Sequence, residues 1–146
     1  MIAIGSDHGG FALKEFICNY LEQKGLEIKD FGCFSEESVD YAPIAAQVAK
    51  MVASKQAERG ILICSTGLGI CMVANKVKGI RAAVCSDLYS AEMTRRHNDA
   101  NILCMGGKIV NESKAAELVD IFLSTEFEGG RHQRRVDQIA QIENEE

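Results

Sequence analysis

Two rhythms of apolar and polar positions alternate along this chain. Met1 to Ser6, Gly60 to Cys64, Ile80 to Cys85 and Asn101 to Met105 are short, nearly continuous apolar runs. Between them apolar residues recur at i, i+3, i+4, i+7 and i+8, as Leu13, Phe16, Ile17, Tyr20 and Leu21 do. Ala45, Val48, Ala49 and Val52 repeat the helical stripe, and so do Ala115, Leu118, Val119, Phe122 and Leu123. Such spacing gives a helix one buried face. Gly25 closes the first helix, and the single proline, Pro43, suits the first turn of the second. Leu26 to Phe31 alternates instead, as a strand near a sheet edge does, and the loop 32–40 follows. Further helices are expected over 68–76 and 87–96, and over 131–143 after the break Glu128-Gly-Gly130.

Strands that are apolar on both faces, each followed by an amphipathic helix, predict a parallel sheet covered on both sides. The expectation is a single three-layer α/β/α domain spanning 1–146, with a Rossmann-like five-stranded parallel sheet and an extra C-terminal helix. In such sheets sites form beyond the carboxyl ends of the strands.

Charge and cysteine usage narrow the function. The net charge of -5 argues against a general nucleic-acid binder, so a basic cluster here reads as a local site for an anionic small molecule. No apolar run approaches the ~20 residues of a membrane helix. The opening MIAIGSDHGG lacks a basic stretch followed by a long apolar one. Six cysteines without a C-x-x-C pair read as free thiols. The expected location is the cytoplasm, with no membrane partner.

The candidate chemistry centres on Gly60-Ile-Leu-Ile-Cys64-Ser-Thr-Gly67-Leu-Gly69-Ile70. No Gly-Lys-Ser/Thr follows, so the loop is not a Walker loop, and Met72 breaks the dinucleotide fingerprint. What remains is a turn whose backbone N–H groups open a helix and suit negative charge. Cys64 just before it reads either as a small buried hydrophobe or as a thiolate favoured by the helix start. The elbow pattern of a thiol hydrolase is absent. A base that removes a proton beside a carbonyl, with the loop holding the enediolate oxygen, fits better. His8 follows Asp7 at the end of the first strand, and His97 ends a helix. The three histidines, His8, His97 and His132, lack metal-ligand spacing. Arg131 and Arg135 share one helix face just after Gly-Gly and suit a phosphate, in this subunit or a neighbouring one.

Asp7-His8-Gly-Gly-Phe, Asp40-Tyr41, Ile63 to Gly69, Arg96-His97-Asn98-Asp99 and Glu128 to His132, in that order, resemble the type B ribose-5-phosphate isomerase family, which includes galactose- and allose-6-phosphate isomerases. The resemblance implies aldose–ketose isomerisation through a cis-enediol, with neither metal nor cofactor. It casts Cys64 as the base, His97 as the group that opens the sugar ring, and Thr66 as a proton relay. Ser65, Gly67, Leu68 and Gly69 form the anion hole. Asp7, Tyr41 and Asn98 contact sugar hydroxyls, while His8, Arg131 and Arg135 surround the phosphate. The arginines come from the neighbouring subunit of a homodimer. The chain departs from the family at Lys108, where arginine is common, and at Ser65, where glycine is. Lysine keeps the charge but loses the bidentate fork. Ribose 5-phosphate is the leading substrate. A six-carbon sugar phosphate, a non-catalytic phosphosugar-binding module and, more weakly, a thiol hydrolase are the alternatives.

Overall fold

A computed structural model describes residues 1–145 of the chain. Five strands, β1 (Ile2–Ser6), β2 (Ile28–Asp30), β3 (Arg59–Cys64), β4 (Ala82–Val84) and β5 (Ile102–Gly106), form one sheet in the order β2-β1-β3-β5-β4. Every pairing is parallel, with Ile4 opposite Ile61 and Ile61 opposite Leu103 across the centre. Six α-helices follow in chain order: α1 (Phe11–Gln23), α2 (Tyr41–Ala53), α3 (Leu68–Ala74), α4 (Leu88–Asn98), α5 (Glu112–Ser124) and α6 (Arg131–Glu143).

The continuous apolar runs are the central strands. All residues of β1 and β5 are buried, as are those of β3 after Arg59. One face carries α1, α4 and α5, whose Ile17, Leu21, Ala91, Leu118 and Phe122 close over Ile4, Ile61 and Leu103. The other carries α2 and α3, whose Val48, Val52 and Ile70 pack with Ala3, Leu62 and Cys104. Helix starts follow local chemistry: Asp87 caps α4 by accepting from the Ser90 N–H at 2.7 Å, and Asn111 caps α5 through Lys114 at 2.8 Å.

The edge strands are shorter than their apolar patterns suggest. β2 loses Leu26, which is exposed, and β4 keeps only three of the six residues expected. Each has a sheet neighbour on one side only, so pairing ends where the neighbour diverges. A three-residue 3-10 turn, His8–Gly10, follows β1 and leads into α1. The C-terminal helix α6 is buried only at His132 and Val136, leaving Ile139 and Ile142 exposed on its outer half. Among the described residues no helix is long and apolar enough to cross a membrane.

Candidate active site

Chain order reverses between β1 and β3, because β2 lies on one side of β1 and the chain returns on the other. The carboxyl ends of those two strands therefore flank a crevice. Asp7 leaves β1 there, and its backbone N–H donates to the Ile63 carbonyl at 3.2 Å. Its Oδ1 accepts the Gly9 and Gly10 N–H groups at 2.9 and 3.2 Å, which folds the 3-10 turn and holds His8 at the rim. His8 Nδ1 accepts the Val39 N–H at 3.2 Å. The neutral ring then carries its proton on Nε2, a free donor. Tyr41 opens α2 and leans over the glycine loop, where a Cβ at Gly69 would come within 2.8 Å of its hydroxyl.

Cys64 ends β3, almost fully buried, and its Sγ accepts the Gly67 N–H at 3.1 Å. Thr66 Oγ1 accepts the Leu68 N–H at 3.2 Å. Two further bonds tie the β5 end to the loop: Gly107 N–H to the Cys64 carbonyl at 2.7 Å and Lys108 N–H to the Ser65 carbonyl at 3.0 Å. On the other side Ser65 fills the space beside Gly9, where a Cβ would overlap its Oγ. Asp7, His8, Tyr41, Cys64, Ser65, Thr66, Gly67, Leu68, Gly69 and Lys108 thus gather at one end of the sheet. Among the other thiols, burial pushes Cys104 up, Cys85 up to about 11 and Cys18 up to about 12, which suits packing rather than chemistry. Cys71 on α3 is held below the ordinary thiol value by its interaction with Cys104, against burial.

The remaining predicted residues lie at the opposite end. A helix between parallel strands runs antiparallel to them, so α4 ends beside the start of β5. Arg81, ahead of β4, donates its Nε–H to the Asn98 carbonyl at 2.9 Å, and Asn101 pairs with the start of β3 through Gly60. His97 and Asn98 therefore stand a strand length, on the order of 15 Å, from Cys64. Arg131 and Arg135 begin α6 in the same region and are exposed. One chain does not bring His97, Asn98, Arg131 and Arg135 to the cysteine loop. The alternation of strands and helices already carried that signal, since a residue ending a helix and one ending a strand belong to opposite ends of the sheet.

Two residues beside His97 received no chemistry from the sequence: Glu128 and His132. The His97 and His132 rings are stacked, with centroids 4.2 Å apart and planes 13° apart. Glu128 Oε1 stands 3.7 Å from His132 Nε2 and 4.0 Å from His97 Nε2. Nothing in the spacing of 97, 128 and 132 announces this, because it depends on α6 docking on α4. The donor atoms of the three lie within 4.8 Å, close enough for a metal-ligand set. An imidazole binds an ion in its own plane, however, and two nearly parallel stacked planes share no such point as the rings stand.

A family model described as Ribose/Galactose Isomerase matches residues 2–139. The chain belongs to the ribose/galactose isomerase family. Ribose-5-phosphate isomerase B of Escherichia coli K12 is 49% identical over 142 residues, which cover 97% of this chain and 95% of that protein. The solved ribose-5-phosphate isomerase B of Clostridium thermocellum is 53% identical, with a TM-score of 0.96 over 97% of this chain and 96% of that one. The Mycoplasma genitalium ribose-5-phosphate isomerase B, solved with bound ribulose-5-phosphate, is 43% identical at a TM-score of 0.95, over 99% of this chain and 97% of that one. Family membership accords with the α/β architecture.

Proposed function

We propose that the chain interconverts ribose 5-phosphate and ribulose 5-phosphate through a cis-enediol. The observation that carries this reading is Cys64 at the β1–β3 crevice, its sulfur receiving the Gly67 N–H at 3.1 Å from the glycine loop that opens α3. A thiol that ends a strand beside a helix-opening glycine loop is placed to act on a carbon acid whose oxyanion the loop holds. Cys64 takes the C2 proton of the aldose and returns it at C1. The loop Ser65–Gly69 holds the enediolate oxygen while its Gly67 N–H serves the Cys64 sulfur, and Thr66 moves a proton between O1 and O2. Asp7 and Tyr41 address the sugar hydroxyls, and His8 and Lys108 the phosphate.

Ring opening by His97 needs a second subunit, given the strand length that separates His97 from its own Cys64. In this reading one protomer supplies Cys64 and its loop, and its partner supplies His97, Asn98, Arg131 and Arg135. Exposed apolar side chains around the cysteine loop support a covered face there: Leu68, Met72, Val84, Tyr89 and Ile109 are all exposed near the carboxyl ends of the strands. So does the outer half of α6, with Ile139 and Ile142 exposed. The ribose-5-phosphate isomerase names of the relatives favour the five-carbon substrate.

The test is ketose formation from ribose 5-phosphate and from allose 6-phosphate, in EDTA, by the wild type and Cys64→Ala. The expected result is turnover of ribose 5-phosphate in the presence of chelator, lost in Cys64→Ala. Preference for allose 6-phosphate would reassign the substrate, and turnover that survives in Cys64→Ala would remove the thiol from the mechanism.

A further inference from the structure

Glu128 and His132 have no part in the reaction as just described, yet both bear on His97. His132 is 7% exposed and its ring lies parallel to the His97 ring at 4.2 Å. Glu128 faces Nε2 of both rings, at 3.7 and 4.0 Å. Its place is fixed from two directions. Its backbone N–H donates to the Arg96 carbonyl at 3.1 Å, and Arg96 Nη1 reaches its carboxylate at 3.4 Å while Nε holds Glu92 at 2.7 Å. The charged groups around the pair are Arg96 and Glu92 from α4, Arg131 and Arg135 from α6, and Glu128 from the segment between α5 and α6. The Arg95–Asp99 pair lies just inside α4, and α5 contributes only the Thr125 carbonyl after its end, bonded to Arg95.

Resting on the isomerase reading, we propose that Glu128 and His132 are positioning residues for His97. His132 fixes the plane of the His97 ring by stacking. Glu128, facing both Nε2 atoms, keeps the His97 proton on Nε2, so that Nδ1 is the nitrogen that works on the sugar. In ring opening the anomeric O1–H proton passes to Nδ1. The C1–O4 bond breaks as the C1=O1 bond forms, and the imidazolium returns the proton to O4. That sequence needs a neutral ring with a defined free nitrogen. Two stacked imidazolium rings at this distance would repel. The pair therefore resists double protonation, and the Glu128 carboxylate compensates a single charge. Burial, and then the nearby His97 and Arg131 charges, hold His132 below the usual imidazole value, against the pull of Glu128. That makes His132 the member that stays uncharged and serves as a platform.

The experiment pairs histidine nitrogen NMR with two kinetic readouts on the full-length protein. Solvent deuterium exchange at C1 of ribulose 5-phosphate reports the Cys64 step alone. This ketose is open-chain, because its C5 hydroxyl carries the phosphate. In the wild type His97 is expected as the Nε2–H tautomer, a signature that Glu128→Gln mixes and Glu128→Asp restores. His132→Ala lowers kcat for cyclic ribose 5-phosphate by up to about 100-fold, the scale of a ~1 Å misplacement. His132→Phe, which keeps an aromatic face, recovers most of it, and deuterium exchange stays at the wild-type rate throughout. Glu128→Gln is nearly isosteric at an exposed site and carries the test where His132→Ala loosens α6. An unchanged tautomer in Glu128→Gln, or equal loss of turnover and exchange in His132→Ala, overturns the proposal. Absence of both turnover and exchange in the wild type overturns the isomerase reading instead, while the tautomer still reports on the His97 arrangement.

Discussion

At Gly67 the backbone turns with φ of +83°, and a Cβ there would lie 2.8 Å from both the Met105 carbonyl carbon and Val84 Cγ2. Its N–H is also the one that meets Cys64 Sγ. Gly67→Ala therefore has to move the loop, and the move reaches the base. We expect destabilisation of at least about 1 kcal/mol from the left-handed conformation and the clash. The deuterium-exchange rate should fall further, towards the ~10²–10³-fold of a lost oxyanion contact, because the loop proposed to hold the enediolate oxygen moves together with the thiol. Urea midpoints and exchange rates measured together separate the two, and a variant that loses stability but exchanges normally would detach the loop geometry from catalysis. At this scale the sequence was legible where chemistry is local. Cys64 and its loop are contiguous, and their order on a strand–turn–helix fixes their mutual placement. The platform formed by His132 was not legible, since the two rings, 35 positions apart in the chain, meet through tertiary docking of their helices.

Apolar stripes located α1, α2 and α5, the strands and the breaks between them bracketed α3, α4 and α6, and the apolar runs overran at β2 and β4, where one neighbour is missing. Helix α6 is a different case, with a polar exposed surface and only His132 and Val136 buried against the body. Its attachment should therefore depend on the charge of His132. That group is held below the ordinary imidazole value, so between its folded value and the unfolded value of about 6.5 the detached state binds more protons. Docking of α6 is then at full strength above about pH 6.5 and weakens as pH falls below it. Amide protection factors in α6, corrected for intrinsic exchange, should drop between pH 7.5 and 5.5 while those in β3 hold. His132→Gln should flatten the dependence, and equal protection at both values in the wild type would show that the imidazole does not govern the docking.

The placement of Cys64 and His97 at opposite ends of the sheet follows from topology alone: strand ends and helix ends alternate in a parallel α/β fold, and Cys64 ends β3 while His97 lies in the last turn of α4. In the proposed two-fold dimer one protomer's loop meets the other's His97, twice over. Its consequence can be measured by mixing. Cys64→Ala and His97→Asn each leave every site of a homodimer defective. In a heterodimer of the two, one site receives both substitutions and the other receives neither. Random association makes half of the dimers mixed, each with one intact site, so turnover of ribose 5-phosphate should recover to about a quarter of the wild-type value. Co-expression with two different tags and tandem purification would isolate the mixed dimer, which should reach about half. A Cys64→Ala and Arg131→Ala mixture should behave in the same way, because Arg131 accompanies His97. A mixture of His97→Asn with Arg131→Ala should not recover, since both belong to the same half-site and every site then lacks one of them. Recovery in that last mixture would assign His97 and Arg131 of one site to different protomers, and none in the first would place Cys64 and His97 in one protomer and require a rearrangement of α4 that this fold does not contain.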